Sequence, residues 1–156
     1  MRSRSRGFTL LELMLVMLLI GVLLTLVGVG LTASPALQAR VQAQELLGVI
    51  AQLRERAVSE GREYGLRFDS HSYQVMGWQS SVWAPLGDAH PLPGELQLRL
   101  ELEGQPLRLS VSAIEPQLLI LSSDEISPFA LHYETVQGRW LSLSSDGLND
   151  VVIHEG

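Results

Sequence analysis

The sequence predicts an α+β protein: a long N-terminal helix, membrane-spanning in its first half and amphipathic in its second, packed on antiparallel β structure. Three observations carry this. From Phe8 to Leu31 the only charge is Glu12, in a run dominated by Leu, Val, Met, Ile and Gly. Between residues 41 and 58 apolar residues recur close to helical spacing. From Arg62 onward short alternating segments, separated by Gly, Pro and Asp, replace that period.

At about 1.5 Å per residue, the run 8–31 makes a helix of roughly 36 Å, enough to cross a ~30 Å hydrocarbon layer. Ahead of it stand Arg2, Arg4 and Arg6 with no acid. By the positive-inside rule this head stays in the cytoplasm and the chain after Leu31 crosses over. A secretory signal also has a basic start and an apolar run, but this run is too long for a signal core. Nor does a small-x-small cleavage site with a polar mature start follow it. Glu12 points the same way. A carboxylate near the start of a membrane helix costs about 2.5–3.5 kcal/mol, and no basic residue lies within the span.

After the run, Ser34 suits an N-cap and Pro35 a first helical turn, so a kink or a new helix start is expected there. Val41, Leu46, Leu47, Ile50, Leu53, Ala57 and Val58 form the apolar stripe, with Gln38, Arg40, Gln52, Arg54 and Glu55 on the remaining surface. Such a stripe packs on its own sheet or receives a partner helix; the first is the expectation. Gly61 is a natural C-cap.

Tyr64–Phe68 and Tyr73–Met76 flank Asp69-Ser70-His71-Ser72, a turn composition, and predict a hairpin. Trp78 and Trp83 follow in a looser stretch broken by Pro85, Gly87, Pro91, Pro93 and Gly94. Glu95–Glu103 alternates strictly and is the clearest half-buried strand; Gly104-Gln105-Pro106 turns it back into Leu107–Val111. Leu118–Leu121, Ala130–Thr135, Trp140–Ser144 and Val151–His154 complete about eight strands, with turns at Gly138 and Asp146-Gly147.

Arg6-Gly7-Phe8-Thr9-Leu10-Leu11-Glu12-Leu13 resembles the class III signal of type IV pilins and type II secretion pseudopilins. The resemblance implies cutting after Gly7 by a prepilin peptidase, which also methylates the new amino terminus at Phe8. It implies a partner for Glu12 as well: the Phe8 amino group of a neighbouring subunit, mostly charged at neutral pH with a free-amine pKa of about 7.7–8.0. The organisation that follows is a leader over 1–7, a transmembrane and fibre-core helix over 8–31, an amphipathic continuation over 32–61 and a periplasmic β-rich domain over 62–156. The helices in tandem match the long, partly embedded helix of a type IV pilin-like fold.

Composition narrows the function. All eleven basic residues are arginine, and the full chain carries −6. Loss of the leader leaves eight arginines against 17 acids, a side-chain balance of −9. Nucleic-acid binding wants a basic face, so no nucleic-acid partner is expected. With no cysteine, the exported domain is held without disulfides, where many type IV pilins close their C-terminal region with one.

The order Ala57-Val58-x-x-Gly61, Tyr64-Gly65-Leu66, Tyr73-Gln74-Val75 and Trp83 is similar to H-type minor pseudopilins of type II secretion. So is Leu121–Phe129 followed by Trp140 and Asp146-Gly147. The family usually has Ser-Gly-Glu where this chain has Ser123-Asp124-Glu125, and Asp tolerates a left-handed turn at modest cost.

No catalytic constellation emerges. There is no Gly-x-Ser-x-Gly elbow, and His71, His90, His132 and His154 are scattered without zinc-ligand spacing. A hydrolase site centred on His132 is the one catalytic alternative, against a packing role. Asp146, Asn149 and Asp150 resemble a calcium-ligating loop of the major pseudopilins, against an ordinary turn. No metal or cofactor is expected. Trp78 and Trp83 are either core or groove-lining residues or a partner-contact patch.

The resemblance therefore implies a non-enzymatic minor pseudopilin near the tip of a periplasmic pseudopilus, anchored by a single pass in the inner membrane, that helps export folded proteins. Its implied partners are other minor pseudopilins, the major pseudopilin, the prepilin peptidase, the inner-membrane assembly platform and secreted cargo. A minor pilin of a type IV pilus and a membrane-anchored periplasmic binding protein are the alternatives.

Overall fold

The computed structural model describes residues 10–28, 34–110 and 113–156. They fall into two units, Met1–Ala33 and Ser34–Gly156.

In the first unit, α1 runs Leu10–Gly28 with Glu12 in its first turn. Its large apolar side chains are exposed on every side from Leu10 (77%) to Val22 (51%). At about 1.5 Å per residue, its 19 residues reach roughly 28 Å, and no helix among the described residues is long and apolar enough to cross a membrane. The expected span 8–31 and the junction before Ser34 extend into residues outside those described.

In the second unit, α2 runs Pro35–Glu60. Both expected ends hold. The Ser34 hydroxyl accepts from Leu37 N–H at 3.3 Å with Pro35 in the first turn, and Gly61 closes the helix in the left-handed conformation, φ 60°. The buried stripe differs from the expected one. It is Ala39, Ala43, Leu46, Ile50, Leu53 and Ala57, at alternating steps of four and three. Val41 and Val58 point outward at 44% and 52% exposure, because Val41 sits about 200° around the helix from Ala39 and Val58 about 100° from Ala57. The stripe packs on the unit's own sheets.

Among the described residues ten strands form two sheets, every pair antiparallel. The first has order β3-β2-β1-β7, with β4 also on β2: β1 Tyr64–Phe68, β2 Ser72–Gln79, β3 Val82–Pro85, β4 His90–Pro91, β7 Leu118–Ile120. The second has order β10-β9-β8-β5-β6: β5 Gln97–Leu102, β6 Gln105–Leu107, β8 Phe129–Thr135, β9 Gly138–Ser145, β10 Val152–Glu155. The stretch expected to be loose around Trp78 and Trp83 is a second hairpin. Ser80 and Ser81 both take positive φ, 48° and 68°, the requirement of a tight primed turn normally signalled by Asn-Gly. Glu103 and Gly104 (φ 51° and 78°) turn β5 into β6 one residue earlier than expected. Gln105 and Pro106 are then already in strand, and β6 stops at Leu107 instead of running on through Ser110; Val111 lies outside the described residues.

Leu46, Ile50 and Leu53 meet Leu66, Phe68, Leu100, Ile120, Leu131, Tyr133 and Leu143 in one core. A seam joins the two sheets. Ser127 N–H donates to Leu119 O at 2.9 Å, and Ile126 N–H to Gly147 O at 3.0 Å, so the backbone passes from β7 to the turn after β9. Gly147 has φ 98°, and a Cβ there would stand 2.9 Å from Ile126 O, so only glycine fits.

Candidate functional site

Gly7 and Phe8, the expected cleavage and methylation positions, lie outside the described residues. Glu12 stands in the first turn of α1, where a carboxylate suits the positive end of the helix dipole. The helix around it is apolar on all sides, a surface that is stable only within lipid or among other helices.

Trp78 and Trp83 are direct cross-strand partners of β2 and β3, in edge-to-face contact with centroids 5.3 Å apart. Neither is in the core; Trp78 is 41% exposed. Trp78 also borders a small cleft of about 50 Å³ with Arg56, Arg62 and Tyr64. There Tyr64 OH donates to Glu60 at 2.5 Å, Arg56 pairs with Glu60 at 3.1 Å, and the Arg56 guanidinium lies 5.0 Å over the Tyr64 ring. The phenol hydrogen bond, then Arg56, hold the Glu60 carboxyl below its usual range; burial, then Glu60, push the Tyr64 phenol up.

Arg54, read from sequence as a solvated face residue, is instead a clasp with a side chain only 15% exposed. Its Nε donates to Asp124 Oδ1 at 2.9 Å, its Nη2 to Asp124 O at 3.1 Å and its Nη1 to Asp150 Oδ1 at 3.3 Å. The helix is thereby tied to both sides of the seam. Asp124 holds the expected left-handed conformation, φ 70°, and its side chain supplies a contact that the family's usual glycine lacks. The departure from Ser-Gly-Glu was the one sequence signal pointing here.

The calcium-like cluster is otherwise engaged. Asp146 Oδ1 accepts from Leu148 and Asn149 N–H at 3.1 and 2.9 Å, and its Oδ2 from Asn149 Nδ2 at 2.7 Å, which together hold its carboxyl below the usual range. Asp150 turns to Arg54. Among the described residues no group of three or more His, Cys, Asp or Glu could hold a metal ion.

The histidines do not converge. His90 stacks on Tyr73 at 4.8 Å, and His71 bonds the Ser70 hydroxyl. Arg99, His132, Ser142 and His154 are successive register partners across β5, β8, β9 and β10. His132 Nδ1 lies 2.8 Å from Ser142 Oγ, and its Nε2 is 3.3 Å from Glu101, close but outside hydrogen-bond geometry. Carboxylate, imidazole and hydroxyl in line resemble a hydrolase relay. With His132 only 5% exposed, however, the ladder cross-links the sheet and offers substrate no approach. Burial, then the nearby Arg139, push the His132 pKa down, against an opposing pull from Glu101.

A helix-first chain with a methylation signal and a helix laid on antiparallel sheets defines the pilin-like class. The family model for the prokaryotic N-terminal methylation motif matches residues 2–28, and the model for type II transport protein GspH matches residues 42–147. Type II secretion system protein H of Pseudomonas aeruginosa is 45% identical over 159 residues, covering 92% of each chain. The protein of the same name from Aeromonas hydrophila is 32% identical, covering 83% of this chain and 81% of its own. The minor pseudopilin EpsH from the type II secretion system of Vibrio cholerae shares the fold with a TM-score of 0.65 at 23% identity, over 76% of this chain and 95% of that one. The solution structure of Escherichia coli GspH does so with a TM-score of 0.67 at 22% identity, over 81% and 94%. The chain belongs to the GspH family, the H-type minor pseudopilins of type II secretion.

Proposed function

We propose that the chain is an assembly subunit near the tip of a short periplasmic fibre that helps move folded proteins through the outer membrane. The observation that carries this is the joint match on one chain: a methylation motif over 2–28 and the GspH domain over 42–147. In this reading a prepilin peptidase cuts after Gly7 and methylates Phe8, and residues 8–31 anchor the subunit in the inner membrane. The all-round apolar face of α1 suits both lipid and a packed fibre core. Glu12 registers one subunit against the methylated Phe8 amine of the next. The exported domain meets the major pseudopilin, the other minor pseudopilins and secreted cargo, with the exposed Trp78 and its half-buried partner Trp83 as one contact. The cytoplasmic ATPase of the system does the work of extraction, with the inner-membrane assembly platform as a partner, and the acidic domain takes no nucleic acid.

The test is intact mass and N-terminal sequence with and without a co-expressed prepilin peptidase. A product beginning at methylated Phe8 is expected; an uncut chain, or one cut beyond the apolar run, overturns the reading.

A further inference from the structure

Five strands form the margins of the two sheets, β3 and β4 sharing one side of β2, and all but one are closed to further pairing; β4 is two residues and ends on Pro91. The outer side of β7 is taken by the chain that follows it: Ser127 N–H donates to Leu119 O at 2.9 Å and Leu121 N–H to Glu125 O at 2.8 Å. β6 is three residues with Pro106 at its centre, and β3 ends on Pro85. A proline has no N–H to offer an incoming strand, and short proline-bearing margins are the usual guard against stray pairing.

β10 has no such guard. Val152–Glu155 contains no proline, lysine or arginine, is exposed at every residue and pairs with β9 in unbroken register. Gly156 N–H donates to Trp140 O at 3.1 Å, which fixes the alternation along the strand. Val152 and His154 turn their backbone groups toward β9, and Ile153 and Glu155 turn theirs outward. Beside this margin a groove of about 410 Å³ lies between the first turns of α2 and the β9–β10 pair, lined by Leu37, Arg40, Trp140, Leu141 and Glu155. Leu141 and Glu155 are register partners, so Glu155 shares the core-facing side of the sheet, where it pairs with Arg40 at 3.4 Å. Ile153, two residues before, shares that side. Leu37, in the groove, is 53% exposed, and Ile153, on the strand beside it, 36%; Glu155, though paired with Arg40, keeps its side chain 75% exposed.

We propose that the open margin of β10 accepts an antiparallel strand from another pseudopilin of the same fibre, whose inward side chains fill the groove beside Leu37 and Ile153. Unpaired backbone N–H and C=O groups recognise an extended chain and nothing else; the groove selects apolar residues at alternate positions. Charge decides against a second copy, because the side chains after the leader sum to −9 and a self-paired margin would bring Asp150 and Glu155 of both chains together. The added strand is therefore apolar in alternation with neutral or basic flanks. This rests on the assembly reading above.

The experiment is amide hydrogen exchange of the full chain in detergent micelles, alone and with each of the other pseudopilins of its secretion system in turn. One of them is expected to slow exchange at Ile153 and Glu155 while Val152 and His154, already bonded to β9, change little. Ile153→Pro removes the outward donor together with the isoleucine side chain and is expected to weaken that complex about tenfold or more. Ile153→Lys keeps the donor but guards the margin with a charge, and should weaken it similarly even if the proline variant fails to fold. Binding with no protection at Ile153 and Glu155, binding unchanged in Ile153→Lys, self-association through β10, or no complex with any pseudopilin overturns the proposal. Phe8 processing and fibre recovery, read in parallel, report on the assembly reading separately.

Discussion

Replacing Arg54 by Met keeps most of the apolar stem and removes the guanidinium from the seam. Three contacts are lost. The one to Asp150 reaches a fully exposed carboxylate, where water screens the pair. The contact to the Asp124 carboxylate, 58% exposed, is discounted for solvent to about 0.5 kcal/mol. The hydrogen bond to Asp124 O contributes about 1 kcal/mol. Arg54→Met should therefore cost about 1.5 kcal/mol. In a unit of about 120 residues, 1 kcal/mol moves Tm by roughly 4 °C, so the expected fall is about 6 °C. Thermal unfolding followed by near-ultraviolet circular dichroism reads this directly. Salt at ~0.5 M screens the carboxylate contact and should narrow the gap by about 2 °C, leaving the carbonyl contact intact. Asp124→Gly should stay near the parent, because relief of the left-handed backbone, about 1 kcal/mol, offsets the lost ion pair. A fall of under about 2 °C for Arg54→Met, or a gap that closes completely in salt, refutes the clasp.

Glu12→Ala should leave membrane insertion intact yet sharply reduce co-purification with the fibre, measured by fractionation and pull-down; undiminished recruitment refutes the pairing with Phe8. His132 has its pKa lowered in the fold, so the folded chain prefers the neutral imidazole. Stability is then full above the ordinary histidine value of about 6.5 and declines as pH falls from there through the depressed value. His132→Gln should flatten that part of the stability–pH curve in denaturant titrations. Gly65→Ala would put a Cβ 2.6 Å from the Pro116 ring and should cost about 1–3 kcal/mol, visible as a lower urea midpoint.

The helices were legible because their signals are local: Ser34, Pro35 and Gly61 mark the ends of α2 without reference to anything distant. The strongly alternating strand through Leu98 and Leu100 was legible for the same reason. What escaped depends on partners far along the chain. Ala39 and Ala43 are buried although small, because the sheets come close to that part of α2, and no periodic scan ranks alanine above Val41. The Ser80-Ser81 turn uses residues that give no sign of positive φ. Arg54 looks like any surface arginine until Asp124 and Asp150, 70 and 96 residues away, are folded beside it. The relay-like line through His132 was visible only once β-strand register placed Glu101 and Ser142 next to it.

The order of sizes along the buried face of α2 has a mechanical consequence. Reading from Pro35, the face begins with two alanines, continues through Leu46, Ile50 and Leu53, and reaches the Arg54 clasp just after. A pull on the chain ahead of Pro35 loads the alanine contacts first, and these hold little apolar area compared with the large residues behind them. The first two turns, held by little apolar area and by the exposed Arg40–Glu155 pair, are the easiest to loosen while the grip farther along stays closed. A chain pulled by its amino-terminal end would thus yield in steps, and the bulk of its sheets would feel the tug after those first turns had given way.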